Sequence, residues 1–351
     1  MDDTMLAVVK HGQHDGEVEL REVPIPEIGE TDVLLEVKAA GVCGSDIEFW
    51  RHSITFPVNT PVIQGHEFAG VIGKVGAKVS GWQVGDEVVS ETAAYICGRC
   101  RQCRTGNYNL CPNRLGFGYG TDGAFTRYVR VPERILHRKP PEVSWNAAAL
   151  TEPACVAYNA VLVQSAPRPG EPIVILGPGP IGLFCLQVAK AISASPIVIT
   201  GTSVDERRLA LARDLGADLA INAQVEDPVP IVLDLTHGEG VPLVIDAAGH
   251  PITTRQSFDM VARNGQITRI GWGPKPLGFS LDPLTAKAVR YQGTFSHTWR
   301  TWEAVLETSR RGTLRPEALV THEMPITDWL TAYRLVESRE AVKIILSPSP
   351  A

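Results

Sequence analysis

The chain has 351 residues, 44% of them hydrophobic and 21% charged, with a formal net charge of −6. That length exceeds what one hydrophobic core usually serves, so two domains are expected. The negative balance and the absence of a long basic run argue against nucleic acid as the main partner. Pro and Gly interrupt the most apolar stretch, 172–189, which excludes it as a membrane span. The acidic start Met1-Asp2-Asp3 lacks the charged-then-apolar design of a targeting signal, so a cytoplasmic protein is expected.

Residues 5–9 and 33–37 read as strands, and Pro24, Pro26 and Gly29 mark turns between them. Gly41-Val42-Cys43-Gly44-Ser45-Asp46 follows, with Gly65-His66-Glu67 a little further on. Cys, His and an acidic residue make the ligand set of a catalytic zinc, where three protein groups leave a fourth position open. Such a zinc polarises a bound alcohol or carbonyl oxygen, or lowers the pKa of a bound water. Glu67 either ligates, exchanges with the fourth ligand, or orients the other ligands. Asp46 either holds the His66 ring by its other nitrogen or caps a helix just after the Cys turn. Further short β runs at 68–75, 86–90 and 127–131, each set off by Gly or Pro, predict a compact, mostly antiparallel, barrel-like domain.

Of seven Cys, four are crowded together with the spacing C-x2-C-x2-C-x7-C: Cys97, Cys100, Cys103 and Cys111. Thiols stay reduced in a cytosolic chain, so this crowding reads as a metal site rather than a disulfide framework. Four thiolates so placed wrap one tetrahedral zinc, and because the site is closed its role is structural. An iron–sulfur cluster also uses four Cys, but no ferredoxin-type run follows, which favours zinc. Arg99, Arg101 and Arg104 read as a solvated face. Glu152 sits in an Ala-rich, apolar run before Pro153, where an unpaired buried charge would be costly. It is read either as a third zinc ligand or as a carboxylate at a helix start.

The second half alternates between short apolar runs and helical stretches. Ile173–Leu176 is a continuous apolar run, the pattern of a buried parallel strand. Gly177-Pro178-Gly179-Pro180-Ile181-Gly182 follows at once, and then a helical stretch at 183–192. A G-x-G-x-x-G between strand and helix lets the backbone approach a pyrophosphate at the helix N-terminus. The predicted continuation is strand 197–200, helix 205–215, strand 219–221, helix 228–236, strand 243–246, helix 252–263 and strand 266–270, a doubly wound parallel sheet. Ser203-Val204-Asp205-Glu206 fits a capping box for the second helix. A dinucleotide site usually carries Asp or Glu after the second strand. Here Gly201-Thr202-Ser203 stands there, with Arg207 and Arg208 soon after. A 2′-phosphate meets less repulsion without the carboxylate, and an Arg can pair with it, so NADP is favoured over NAD. Residues 293–299 read as a strand leaving the sheet, followed by helices at 300–311 and 327–337 and a closing strand at 342–346. His297 and Trp299 either line a substrate cleft or serve packing.

Taken together, these residues resemble the zinc-dependent medium-chain dehydrogenase/reductase family over almost the whole chain. Gly65-His66-Glu67-x2-Gly70-x5-Gly76-x2-Val79 matches the family's zinc signature. The four-Cys lobe, Gly85-Asp86-Glu87-Val88, the dinucleotide loop and Val244-Ile245-Asp246-Ala247-Ala248-Gly249 appear in the expected order. Within the family the chain is most similar to the sorbitol (L-iditol) and threonine dehydrogenase branch.

The resemblance implies an α/β protein. A GroES-like, mostly-β catalytic domain would comprise 1–157 and 292–351, with a Rossmann cofactor domain over 158–291. It implies two zincs per chain. Cys43, His66 and Glu152 match the catalytic zinc positions, with Glu67 an alternating ligand, while Cys97, Cys100, Cys103 and Cys111 match the structural lobe. Ser45 matches the hydroxyl that relays the alcohol proton. Gly177, Gly179, Pro180, Ile181 and Gly182 match the cofactor loop, and Ser203 and Arg208 fall where the ribose is read. The implied activity is hydride transfer between NAD(P) and a small-molecule secondary alcohol, a polyol above all, by a homotetramer. Two departures bear on the substrate. Glu48 stands where polyol enzymes often have His, and Ser296-His297 falls where they often have Arg-Tyr. An amino-alcohol of the threonine type and a dinucleotide-binding protein without catalysis are the alternatives. The intact Cys43, Ser45, His66, Glu152 set speaks against the second.

Overall fold

The computed structural model describes residues 3–273 and 275–348. It divides into two compact units, Met1–Glu152 with His297–Ala351, and Pro153–Ser296. None of the described helices is long and apolar enough to cross a membrane.

The first unit is built on a seven-stranded sheet. Its order is Val320–Pro325, Lys343–Ser347, Asp32–Gly41, Glu67–Val75, Glu87–Ser90 and Leu136–Arg138, and Tyr128–Pro132 pairs with Asp32–Gly41 off that path. All pairings are antiparallel except that of Val320–Pro325 with Lys343–Ser347. A small antiparallel sheet joins Val18–Pro24, Thr4–Lys10 and Val62–Ile63. Asp32–Gly41 shows why the sheet forms. Val33, Leu35 and Val37 recur every second residue and are buried, so one face of the strand is apolar. Phe68, Ile72, Phe125, Tyr333 and Ile344 pack on that face. Gly41 lies opposite both Glu67 and Ile345, so the ends of three strands converge beside Cys43.

The second unit is a six-stranded, all-parallel sheet. Its order across the sheet is Leu219–Asn222, Ile197–Gly201, Ile173–Leu176, Val241–Asp246, Val261–Arg269 and Arg290–Gly293. Numbered along the chain this is 3-2-1-4-5-6, the doubly wound order with its switch point beside the first strand. Ile173–Leu176 and Ile197–Gly201 are buried throughout, as strands covered on both faces must be.

Three local expectations need correction. The helix expected to 263 ends at Met260, and Val261–Arg269 is one strand. The outer strand is Arg290–Gly293, paired in parallel with Val261–Arg269, so 293–299 is not a strand leaving the sheet. The capping box belongs to Thr202 and Asp205, with Ser203–Asp205 forming a 3-10 turn. Asp205 Oδ2 accepts from both the backbone N–H and the hydroxyl of Thr202.

Candidate active site

Cys43 is the N-cap of the helix Gly44–Trp50. Asp46, in the first turn, accepts the Cys43 backbone N–H at 2.9 Å through Oδ2, while its Oδ1 lies 3.5 Å from His66 Nδ1. Asp46 therefore caps the helix, while its other oxygen faces the imidazole without hydrogen bonding to it. The other imidazole nitrogen, Nε2, faces Ser45 Oγ at 3.5 Å. His66 stands just before the strand Glu67–Val75, which turns Glu67 fully inward. A side chain at position 41 would place its Cβ 2.3 Å from Glu67 Oε2, so glycine there makes room for the carboxylate.

The ligand atoms of Cys43, His66 and Glu67 all lie within 4.8 Å of one another. Glu67 Oε1 and His66 Nδ1 are buried and make no hydrogen bond among the described residues. A thiol, an imidazole and a carboxylate converging with buried, unmatched polar atoms fit a divalent metal of the zinc type. The charges of Asp46 and Cys43 outweigh burial and lift the His66 pKa well above its ordinary value.

Glu67 forms a buried ion pair with Lys343, whose Nζ also donates to the Val42 carbonyl at 2.9 Å. Burial raises the Glu67 pKa against the pull of Lys343, and the charges of Glu67 and Cys43 outweigh burial to raise that of Lys343. Sequence reading passed over Lys343. Its signal was a lone cation inside the apolar run Val342–Leu346.

Glu152 lies in the first turn of the helix Thr151–Tyr158 and stands outside the Cys43, His66, Glu67 group. Its Oε1 meets His297 Nε2 at 3.0 Å, and His297 Nδ1 accepts from Trp302 Nε1 at 2.8 Å. Burial would raise the Glu152 carboxyl, but the His297 contact and the charges of His66 and Lys343 lower it. His297 and Trp302 are buried, whereas Trp299 is exposed. Trp302 carried no motif and was not singled out from the sequence. Glu48 lies on an exposed part of its helix, and partial desolvation raises its pKa.

In the four-Cys lobe, Cys100 Sγ lies 3.4 Å from Cys103 Sγ, and Cys111 Sγ lies 3.6 Å from Cys97 Sγ. Four sulfurs at Zn–S distances of about 2.3 Å would be about 3.8 Å apart, so the arrangement fits a tetrahedral zinc. Backbone N–H groups of Cys97, Cys100 and Cys103 point at sulfurs of Cys111, Cys97 and Cys100, each at 3.4 Å. Such donors at Arg99 and Cys100 lower the Cys97 thiol to about 6, while desolvation pushes Cys103 up to about 12. The lobe thus favours some thiolate but cannot hold four without a cation. Cys155 and Cys185 are buried thiols elsewhere.

The glycine loop divides its work by position. Gly177 has φ +100°, a Cβ at Gly179 would meet nothing within 4 Å, and one at Gly182 would sit 1.9 Å from the Gly177 carbonyl. These are a tight turn, an open approach and a close strand–helix contact. Gly179 caps the helix Pro180–Ala191, whose first turn holds Ile181. Ser203 is exposed, and its Oγ accepts from Asn222 Nδ2 at 3.0 Å. Arg208 turns inward, 3.5 Å from Asp205, while Arg207 is exposed.

Comparison with known proteins agrees with this picture. The family models for the alcohol dehydrogenase GroES-like domain and the zinc-binding dehydrogenase match residues 29–141 and 180–311. A sorbitol dehydrogenase of Halalkalibacterium halodurans is 38% identical over 98% of this chain and 99% of its own length. An L-threonine 3-dehydrogenase of Bacillus subtilis is 36% identical over 98% and 99%. A zinc-binding dehydrogenase from Sinorhizobium meliloti 1021, solved bound to NADP, superposes with a TM-score of 0.89 at 26% identity over 99% of this chain and 100% of its own. The chain belongs to the zinc-dependent medium-chain dehydrogenase/reductase family, in its sorbitol and threonine dehydrogenase branch. It is an NAD(P)-dependent alcohol dehydrogenase.

Proposed function

We propose that the enzyme oxidises a secondary hydroxyl of a polyol, with NADP preferred over NAD. The observation that carries this reading is the convergence of Cys43, His66 and Glu67 within 4.8 Å, with the Ser45 hydroxyl 3.5 Å from His66. In this reading Cys43, His66 and Glu152 hold the catalytic zinc, Glu67 alternates with a ligand, and Cys97, Cys100, Cys103 and Cys111 hold a structural one. The catalytic zinc supplies Lewis-acid polarisation of the substrate oxygen, and the nicotinamide accepts the hydride. Ser45 takes the hydroxyl proton, as a positioned acid–base group does. Asp46 keeps the His66 ring oriented, and Lys343 balances Glu67 so that a second carboxylate is tolerated at a buried site. The unit holding residues 1–152 and 297–351 carries the chemistry. The other unit binds the cofactor through Gly177, Gly179, Pro180, Ile181 and Gly182.

The NADP preference rests on Ser203 standing where an acid usually reads the ribose, beside the exposed Arg207. Arg208, turned toward Asp205, is the weaker phosphate partner of the two arginines. The polyol is supported by likeness to the sorbitol dehydrogenase, and a cytoplasmic homotetramer by likeness to the family. A second reading, an amino-alcohol of the threonine type, is supported by Glu48, whose carboxylate suits a cationic substrate end.

The test is nucleotide reduction by the purified enzyme with NAD and NADP in parallel, across polyols, simple secondary alcohols and threonine. Turnover of polyols with NADP ahead of NAD is expected. Turnover of threonine alone would replace the polyol by the amino-alcohol.

A further inference from the structure

We propose that His297 and Trp302 form a relay that positions Glu152, with Trp302 fixing the imidazole and the imidazole fixing the carboxylate. The proposal rests on the reading of Glu152 as a zinc ligand. It starts from the hydrogen-bond chemistry of the indole. A tryptophan Nε1–H donates and never accepts. Trp302 Nε1 lies 2.8 Å from His297 Nδ1, so that nitrogen must be the acceptor and carries no proton. The one ring proton is then on Nε2, which donates to Glu152 Oε1 at 3.0 Å. In this arrangement the ring is neutral and its tautomer is fixed.

The ring has no room to turn. His297 is 2% exposed and Trp302 1%, and their rings meet edge to face at 5.2 Å and 79°. The indole is held in turn by His137, stacked at 5.5 Å and 11°, whose own nitrogens face Glu91 and Glu303. The helix Trp299–Arg310, with Trp302, Val305 and Leu306 buried, anchors the far end of this chain of contacts.

Glu67 and Glu152, two of the buried carboxylates of the site, are therefore held differently. Glu67 is held by a cation, Lys343, which cancels its charge. Glu152 is held by a neutral donor that engages one oxygen and leaves the negative charge for a metal. Outer contacts of this kind fix the direction of a ligand and are worth 10–100-fold in metal affinity. His297 is a positioning residue on this account and touches no reacting atom.

The experiment uses the zinc-loaded full-length enzyme and the variants His297→Ala, His297→Gln, Trp302→Phe and Glu152→Ala. Zinc per chain is followed during timed exposure to EDTA, and the visible spectrum is recorded after cobalt replaces zinc. His297→Ala should lose one of its two zincs about 10–100-fold faster than the parent, with altered cobalt bands, while the second zinc stays. His297→Gln, whose amide N–H reaches where Nε2 donated, should recover most of the retention. Trp302→Phe keeps the ring but removes the donor, and should fall between. Parental zinc retention and an unchanged cobalt spectrum in His297→Ala would overturn the relay, as would a His297→Gln enzyme as leaky as His297→Ala. If His297→Ala does not fold, Trp302→Phe decides by the same two readouts, and parental behaviour there overturns the proposal. Glu152→Ala separates the two claims. Parental zinc retention in that variant would remove Glu152 from the ligands altogether. Zinc loss there without loss in His297→Ala would leave Glu152 a ligand and discard only the relay.

Discussion

The four-Cys lobe and the Cys43 pocket lie in the same unit and differ in how far along the chain their parts are gathered. Cys97, Cys100, Cys103 and Cys111 come from one short stretch, and backbone N–H groups of that same stretch point at their sulfurs. The pocket draws Cys43 from a helix N-cap, His66 and Glu67 from the start of a strand, Glu152 from another helix, His297 from a loop and Lys343 from the last strand. A local site depends on its own spacing. A gathered one depends on the whole unit being folded and on every buried charge finding its partner. Metal binding should therefore be a condition of folding at the lobe and a consequence of folding at the pocket.

The largest effect that would break this contrast is at the lobe. Cys100→Ser should cost more than about 5 kcal/mol, because a closed thiolate site contributes its binding energy to folding. A variant that melts like the parent in calorimetry would mean the lobe is not a structural site. Next is Lys343→Met, which strands Glu67 as a buried, unpaired carboxylate. A loss of about 3–5 kcal/mol is expected in denaturant titration, and Glu67→Gln added to it should recover part. Failure of the second change to help would show that the ion pair is not what Lys343 supplies. Cys43→Ala should leave the melting curve near the parent's while turnover falls about a thousandfold or more. Unfolding in that variant would erase the distinction between the two clusters.

The smallest effect concerns the surface tie between the Cys43 helix and the C-terminal helix Trp329–Glu337. Arg51 meets Glu337 there with two contacts of 2.7 and 2.8 Å. Hydrogen bonding to Arg51 lowers the Glu337 pKa. A depressed carboxylate stabilises above its unfolded pKa near 4.3, and loses that stabilisation as pH falls through the lower folded value. Glu337→Gln should therefore cost under about 1 kcal/mol at pH 7 and nothing at pH values below the folded pKa. A larger cost at pH 7 would show that the pocket leans on its surface ties as well as its buried ones.

The same contrast explains what could be read in advance. Four Cys at fixed spacing, and three glycines between a strand and a helix, are local patterns whose chemistry needs no tertiary knowledge. The pairing of Glu152 with His297, and of Glu67 with Lys343, spans much of the chain and leaves no periodic trace. Glu152 showed only that a charge in an apolar run needs a partner, without saying which. The outer strand Arg290–Gly293 was missed because it is largely exposed and carries no apolar alternation. The start of Val261–Arg269, residues 261–263, was read as the end of a helix, though 266–270 was read as a strand, because the early residues lead into Asn264 at φ +58° and a shift of register, which break the period of two. Ser203 was given a cap that belongs to Thr202, one residue away, since both side chains can do that work.

Lys343 has a consequence for how the molecule is made. On the ribosome every group that converges at Cys43 is synthesised before it, and the whole of Pro153–Ser296 has emerged as well. Until that lysine arrives, Glu67 lacks the cation it pairs with directly, and an apolar interior does not accept a bare carboxylate. The strand ends around Gly41 must stay wet while the other unit, complete in sequence, is already able to fold. The four cysteines are all present once Cys111 has left the tunnel. The ligands of the lobe are therefore all available during elongation, whereas the pocket is gathered only after the strand Lys343–Ser347 has docked.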